Sequence, residues 1–228
     1  MECPFQDVDL PMQQNKRFKT LRSFLRSIVL IPKNVFDKIR LKLKISKSTG
    51  KLQIIIGSEK TKYKNWLPTN IQSLNLLKMK SFVSLFGDKK VDRFLAEHVF
   101  EHITYEDALI ALRHCNIFLK EGGVIRIAVP DGFHPNPEYI DMVKPGGFGY
   151  GSDDHKLLYN YKSLSKILEE SGFVAHPLEY YDESGKFHFT DWNSEDGHVM
   201  RSMRYDKRFN ESLGYSSLIV DGIKKQTF

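Results

Sequence analysis

Apolar residues fall into two rhythms along this chain. Between residues 16 and 45 they recur at helical spacing: Phe18, Leu21, Leu25 and Ile28 share one face, with Lys19, Arg22 and Arg26 elsewhere. Pro32 interrupts, and Val35, Ile39 and Leu43 restart the stripe. A turn at Ser46–Gly50 precedes a change of pattern. Leu52–Ile56 (LQIII) is a short continuous apolar run ending at Gly57, the form of a strand covered on both faces. Leu67–Ile71 and Ser73–Leu77 read as two extended segments, Ser81–Phe86 as a helical turn, and Val91–Ala96 as a strand leading into the polar cluster EHVFEH. Thr104 opens a helix, with Asp107 completing a capping-box-like start. Its buried stripe is Ala108, Leu109, Leu112, Cys115 and Leu119, and Gly122-Gly123 is its expected stop.

Val124–Val129 is the next strand, ended by Pro130. Asp131–Asp154, rich in Gly and Pro, is expected to be irregular, and a loop of that length is usually functional. A helix follows over Asn160–Ser171, with Leu164, Ile167 and Leu168 inward and Gly172 past its end. Phe173–Tyr181 is a strand, Asp182–Gly185 a turn, Lys186–Trp192 a segment that pairs back, and Tyr215–Ile223 the last strand. Strands alternating with helices from Leu52 to Tyr181 predict an α/β fold: a mostly parallel sheet with helices on both faces. The expected division is 1–15 flexible, 16–50 a basic amphipathic helical extension, and 51–228 the α/β domain.

Composition adds bounds. The 228 residues are 41% hydrophobic and 27% charged, as in a soluble globular protein. No apolar run approaches the ~20 residues that span a bilayer. The N-terminal stretch lacks the layout of a secretory signal, so a cytoplasmic location is expected. The two cysteines, Cys3 and Cys115, have no zinc-type spacing and no expected disulfide. Net charge is +6, and Lys16–Lys51 carries much of the excess with Asp37 its one acid. A basic amphipathic segment of this kind suits the anionic inner face of a membrane, so residues 16–45 are a candidate peripheral membrane contact. Packing against the domain with a solvated basic face is the plainer reading. No aromatic-basic RNA motif is present, and no nucleic-acid partner is expected.

In open α/β sheets, ligands bind beyond the carboxyl ends of the strands. That rule selects Gly57–Lys60, Asn70–Ile71, Ala96–His102 and Pro130–His134. If residues 99–102 start helical, His98 and His102 stand one turn apart, a spacing that suits a metal. No metal ligands are assigned, because caps and exposed side chains explain these residues as well. Asp131, His134 and His155 are the candidate bases, since imidazole and carboxylate move protons near neutral pH. The acids and arginines between Phe187 and Arg208 either bind an anionic substrate or form an internal ion-pair network.

The blocks KLQIIIGSEKTKYKNW, LPTNIQSLNLL, VDRFLAEHVFEH, LKEGGVIRIAVPDGFHPNPEYID and YSSLIVDGIKK make residues 51–225 resemble class I S-adenosylmethionine-dependent methyltransferases. The nearer likeness is to a bacterial group of such enzymes of unassigned substrate. The resemblance implies a Rossmann-like, mostly parallel seven-stranded sheet with a late antiparallel strand. It implies S-adenosylmethionine across the early strand ends: Gly57, Ser58 and Glu59 at the methionine, Asn70 at the ribose, Asn75 and Leu76 near the adenine, Glu97 and His98 along its border. It also implies a small polar or sugar-type acceptor, in surface-polysaccharide synthesis. Two positions depart from the family pattern: Glu59-Lys60 replace further glycines, and Asn70 replaces the ribose-binding acid. Those departures support a second reading, a non-catalytic relative that binds a partner or another ligand. A third is metal-dependent activity through the His/Asp/Glu cluster.

Overall fold

A computed structural model describes residues 34–58, 61, 63–205 and 216–226. The first half of the basic extension, Cys3, Glu59, Lys60, Asp206, Arg208 and the start of the last predicted strand lie outside the described residues. Residues 34–47 form helix α1, which turns Leu41 and Ile45 toward the core. The strands are β1 (Gln53–Ile56), β2 (Trp66–Pro68), β3 (Val91–Glu97), β4 (Leu119–Pro130), β5 (Phe173–Tyr181), β6 (Phe187–Phe189) and β7 (Ser217–Lys224). The further helices are α2 (Met79–Phe86), α3 (Tyr105–Phe118), α4 (Pro137–Val143) and α5 (Tyr161–Glu170).

One seven-stranded sheet runs in the order β2-β1-β3-β4-β7-β5-β6. The β2-β1-β3-β4 block is parallel, and β7 inserts antiparallel between β4 and β5. β5 therefore runs with the parallel block, and β6 folds back on its outer edge. This is the Rossmann-like class I methyltransferase fold expected from the resemblance, late antiparallel strand included.

The two faces of the sheet are covered differently. Ile54, Ile56, Phe94, Ile125, Ile127, Leu218 and Val220 point to a large core shared with Phe82 of α2, Leu112 of α3 and Leu164 and Ile167 of α5. Their neighbours Ile55, Leu95, Ala128 and Ile219 point the other way, against Trp66, Leu178, Trp192 and Val199. Helices on both faces were expected; instead the second face is covered largely by the irregular segment 190–205. Glu179 at β5 holds that segment, accepting from Trp192 Nε1 at 2.9 Å, Ser202 Oγ at 2.7 Å and Met203 N at 2.9 Å. Buried Arg126 holds it from β4, donating to Gly197 O at 2.7 Å while pairing bidentately with Asp221. A planar guanidinium can make both contacts and still stack on Trp192.

Several local expectations are corrected. Of the extended segments expected at Leu67–Ile71 and Ser73–Leu77, Leu67 and Pro68 are extended, in β2, while residues 71–73 and 76–77 form turns, because Asn70 Oδ1 accepts from Gln72 N and Ser73 N and Asn75 Oδ1 from Leu77 N. Helix α3 ends at Phe118, four residues before the predicted glycine stop. Leu119 is already extended and pairs with Val91. Gly122 (φ +69°) and Gly123 lie inside β4, where a Cβ on Gly123 would meet Lys120 O at 2.8 Å. The stretch after Pro130 is not wholly irregular: Asn136 caps α4, and Ser152–Asp154 makes a single 3-10 turn. The cap at Thr104, the helix begun by Asn160 and the strand Phe173–Tyr181 stand as read.

Candidate functional site

A cavity of about 530 Å³ opens beyond the carboxyl ends of β1 and β3. At its base the chain leaves β1 through Gly57, at φ +67° and with its Cα so close to Val99 that a Cβ would lie 2.8 Å from Cγ2. An L side chain is therefore excluded twice over, by backbone conformation and by space. Ser58 follows, its N–H donating to Thr69 O and so tying the end of β1 to the end of β2. Apolar wall comes from Ile55, Leu95 and Met200.

Glu97 closes β3 and faces this cavity. Burial raises its carboxyl above the ordinary range, and the charges of His98 and Arg201 and the backbone N–H groups of Arg201 and Met200 act in the opposite sense. Its Oε1 accepts from Arg201 N at 3.2 Å, which fixes the segment that rims the cavity. The Tyr63 hydroxyl, buried and without a hydrogen-bond partner, also lines it; burial and the charge of Glu97 push its pKa up.

His98 takes the left-handed backbone conformation, φ +55°, unusual for a residue with a side chain. Three bonds hold it there: its N–H to Ala128 O, Nδ1 to Glu101 Oε1 at 2.8 Å, and Nε2 to Ser217 Oγ at 3.1 Å. The turn at His98 lets Phe100–His102 curl as a 3-10 turn, placing buried Glu101 and half-buried His102 on the cavity wall. The carbonyl of Glu101 accepts from Lys156 N and Leu157 N, which draws the Ser152–Asp154 turn alongside and brings in His155. The rings of His102 and His155 meet edge to face, 4.8 Å between centroids. Among the described residues, Glu101, His102 and His155 bring one ligand atom each to within 4.8 Å of one another. The predicted His98–His102 pair is therefore not formed; His98 turns to Glu101 and Ser217 instead.

Asp131 and His134 are built differently. Asp131 Oδ1 accepts from Phe133 N and Oδ2 from Tyr181 N, joining the ends of β4 and β5. Burial raises its pKa to about 6. His134 stacks on Tyr139 at 3.9 Å and accepts from Asn136 N at Nδ1, and burial lowers its pKa to about 4. Neither lines the cavity.

Of the remaining candidates, Gly57, Ser58, Glu97, His98 and His155 line the cavity. Asn70 lies in a smaller recess beside it, its Oδ1 engaged in the turn. Asn75 Oδ1 accepts from Leu77 N, and Leu76 is in the core with its carbonyl bonded to His114. Glu59 lies outside the described residues. Tyr63, Glu101, His102, Met200 and Arg201 also line the cavity, and none of them is among the site residues expected from the sequence. The last two carry no periodic signal; they reach the site because Glu179 and Arg126 anchor the segment around them. The arginines of that segment pair internally, Arg204 with Asp191, while Asp196 pairs with Arg93.

No family model matches this chain, and no curated protein matches it. Solved structures do. One is an S-adenosylmethionine-dependent methyltransferase of Archaeoglobus fulgidus: 18% identical, 84% of this chain and 94% of that one covered, TM-score 0.43. A second is a possible histamine N-methyltransferase of Thermotoga maritima, at 12%, 91% and 97%, TM-score 0.43. A third is magnesium protoporphyrin IX methyltransferase of Synechocystis PCC 6803 with bound S-adenosylhomocysteine, at 11%, 86% and 87%, TM-score 0.39.

Proposed function

We propose that the protein is an S-adenosylmethionine-dependent methyltransferase acting on a small polar, sugar-type acceptor of surface-polysaccharide synthesis. One observation carries this reading: a cofactor-sized cavity lies where a parallel sheet binds its ligands, with Glu97 and Tyr63 among its lining residues. The residues fit the cofactor in kind. Ile55, Leu95 and Met200 offer apolar contact, and Glu97 offers a negative charge to an ammonium group. The family resemblance of residues 51–225 supports the same assignment.

S-adenosylmethionine, when bound, supplies a methyl group on a positively charged sulfur. The chain's own task is to hold an acceptor in line with that carbon, keep water away and take a proton from the acceptor. His155 is the sequence-derived base that lines the cavity. Its Nδ1 faces Val143 O at 2.7 Å and must donate there, so Nε2 is its proton-accepting atom. Titration calorimetry with S-adenosylmethionine and S-adenosylhomocysteine tests the reading; heat of binding is expected for both, and silence at millimolar cofactor overturns it. The engaged Asn70 favours a second reading, a non-catalytic relative, and that silence would select it.

A place at the inner face of the membrane is part of the proposal. Helix α1 presents exposed Val35, Phe36, Ile39 and Leu43 beside exposed Arg40, Lys42 and Lys44. Such a face matches an anionic lipid surface. No helix among the described residues is long and apolar enough to cross a membrane. Flotation with anionic vesicles at low salt is expected to carry the protein upward; a protein left in the soluble fraction refutes the contact.

A further inference from the structure

We infer that Glu101, His102 and His155 form a binding site for a divalent transition-metal ion on the wall of the cavity. Two imidazoles and one carboxylate offer ligand atoms within 4.8 Å of one another, the donor set and spread that such ions take with positions left open. The state of each side chain points the same way. Glu101 is fully buried, its Oε1 is held by His98, and its Oε2 has no hydrogen-bond partner. A buried carboxylate oxygen without a donor is costly unless a cation or proton meets it.

The histidines are oriented from behind, as metal-ligating imidazoles are. His155 Nδ1 donates to Val143 O at 2.7 Å, and His102 Nδ1 faces Asp154 Oδ2 at 3.5 Å. A carbonyl can only accept, so the proton of His155 sits on Nδ1 and its lone pair on Nε2. Glu101 and His155 thus each have one polar atom fixed by a neighbour and another left over. The site came together from separate segments: the 3-10 turn after β3 supplies two ligands, and the turn ending at Asp154 delivers the third through the bonds from Lys156 and Leu157 to the Glu101 carbonyl. The pair foreseen from spacing, His98 with His102, is replaced by a trio in which His98 is a positioning residue.

All three ligands line the cavity, so the ion's open positions face its interior. An oxygen ligand bound there, a hydroxyl or a hydroxyl pair, is oriented and loses its proton to water more readily. For a methyl acceptor this consequence rests on the function proposed above, and the ion then takes the place of His155 Nε2 in activating the hydroxyl. Ion binding itself does not depend on that reading.

The test is titration of tag-free, full-length, chelator-treated protein with Co²⁺, followed by visible absorption without any cofactor, then competition with Zn²⁺. One equivalent with ligand-field bands is expected, retained in large excess of Mg²⁺, whose preference is for oxygen. His102→Ala, His155→Ala and Glu101→Gln are each expected to weaken binding at least ~10-fold, and His98→Ala to do so by ~10-fold through Glu101. His188→Ala, on β6, serves as the control and is expected to bind like wild type. Circular dichroism checks each variant's fold, and Glu101→Gln, which preserves shape, decides if the others unfold. No saturable equivalent in the wild type, or wild-type binding in Glu101→Gln, overturns the site. Because cofactor is absent, a failure of S-adenosylmethionine binding would leave this result standing, and the reverse.

Discussion

Two clusters of carboxylate and imidazole stand after neighbouring strands, and they do opposite work. After β4, Asp131 and His134 face inward: both Asp131 oxygens and His134 Nδ1 meet the backbone N–H groups of Phe133, Tyr181 and Asn136, while His134 Nε2 is buried without a partner away from the cavity. After β3, Glu101 is held by His98 and His155 by a carbonyl, His102 stands near Asp154, and all three line a cavity. Residue type does not separate the two groups. What separates them is where they stand: Glu101, His102 and His155 line the cavity and Asp131 and His134 do not, and that depends on turns contributed from distant parts of the chain.

The largest expected effect separates the clusters by stability. Asp131→Ala strips the acceptor from two main-chain N–H groups, one of them buried at Tyr181. A buried donor without a partner costs ~1–3 kcal/mol, and relief of a buried charge offsets part of that. A net loss on the order of 2–3 kcal/mol in urea unfolding is expected, with Co²⁺ binding by the folded protein unchanged. A variant as stable as wild type that has lost the ion would invert the assignment.

The same cluster carries two opposed responses to pH. His134 has a folded pKa of about 4, below the ordinary 6.5. The stability it confers is present above pH 6.5 and lost as pH falls through 4. Asp131 has a folded pKa of about 6, above its ordinary 3.8. Its contribution is present below pH 3.8 and lost as pH rises through 6. Each shift amounts to ~3 kcal/mol, so between pH 6.5 and 4 the two nearly cancel. Removing either one exposes the other. His134→Phe, which keeps the stack on Tyr139, is expected to gain ~2 kcal/mol on acidification from pH 7 to 4, and Asp131→Asn to lose a similar amount or more. Parallel pH profiles for the two variants would show that the groups do not titrate as their burial dictates.

Much of the fold was legible because its signals are local. The Thr104 cap, the Leu164–Leu168 stripe ahead of Gly172 and the apolar runs at β1 and β4 each announce themselves within a few residues. The expectation of helices on both faces failed because nothing local marks 190–205 as a cover: its hold depends on Glu179 and Arg126, which reach it from β5 and β4. The site divided the same way. Gly57, Glu97 and His98 follow strands and were found by position. His155 was found by type alone, while of the two equally attractive in sequence Asp131 joins strand ends and His134 packs on Tyr139. Tyr63, Met200 and Arg201 meet the cavity through contacts more than ~100 residues apart in the last case, as Arg201 N to Glu97 Oε1 illustrates.

At the floor of the cavity the cost is one of backbone. Gly57→Ala combines positive φ with a 2.8 Å contact to Val99, so a loss on the order of 1–3 kcal/mol is expected, with weakened cofactor binding. Val99→Ala in the same chain opens the space but not the φ. The double variant should therefore recover part of the stability, and the coupling between the two sites reads out the steric share directly. Full recovery would mean that the conformation at Gly57 is no constraint.

The smallest expected effect is the most discriminating for the β3 cluster. His102 is about one-third exposed; its Asp154 partner is 68% exposed and 3.5 Å away. Exposed ion pairs of this geometry contribute ~0–1 kcal/mol, and its ring meets the His155 ring edge to face. His102→Ala should therefore shift the urea midpoint by less than ~1 kcal/mol of stability while weakening Co²⁺ at least ~10-fold. Stability and ion binding move together for a residue whose polar atoms are engaged in the fold, as at Asp131. They come apart where the fold leaves an atom for something else. A loss of ~2 kcal/mol or more in His102→Ala without the cation would place His102 beside Asp131 and His134, and the distinction between the two clusters would then be one of position alone.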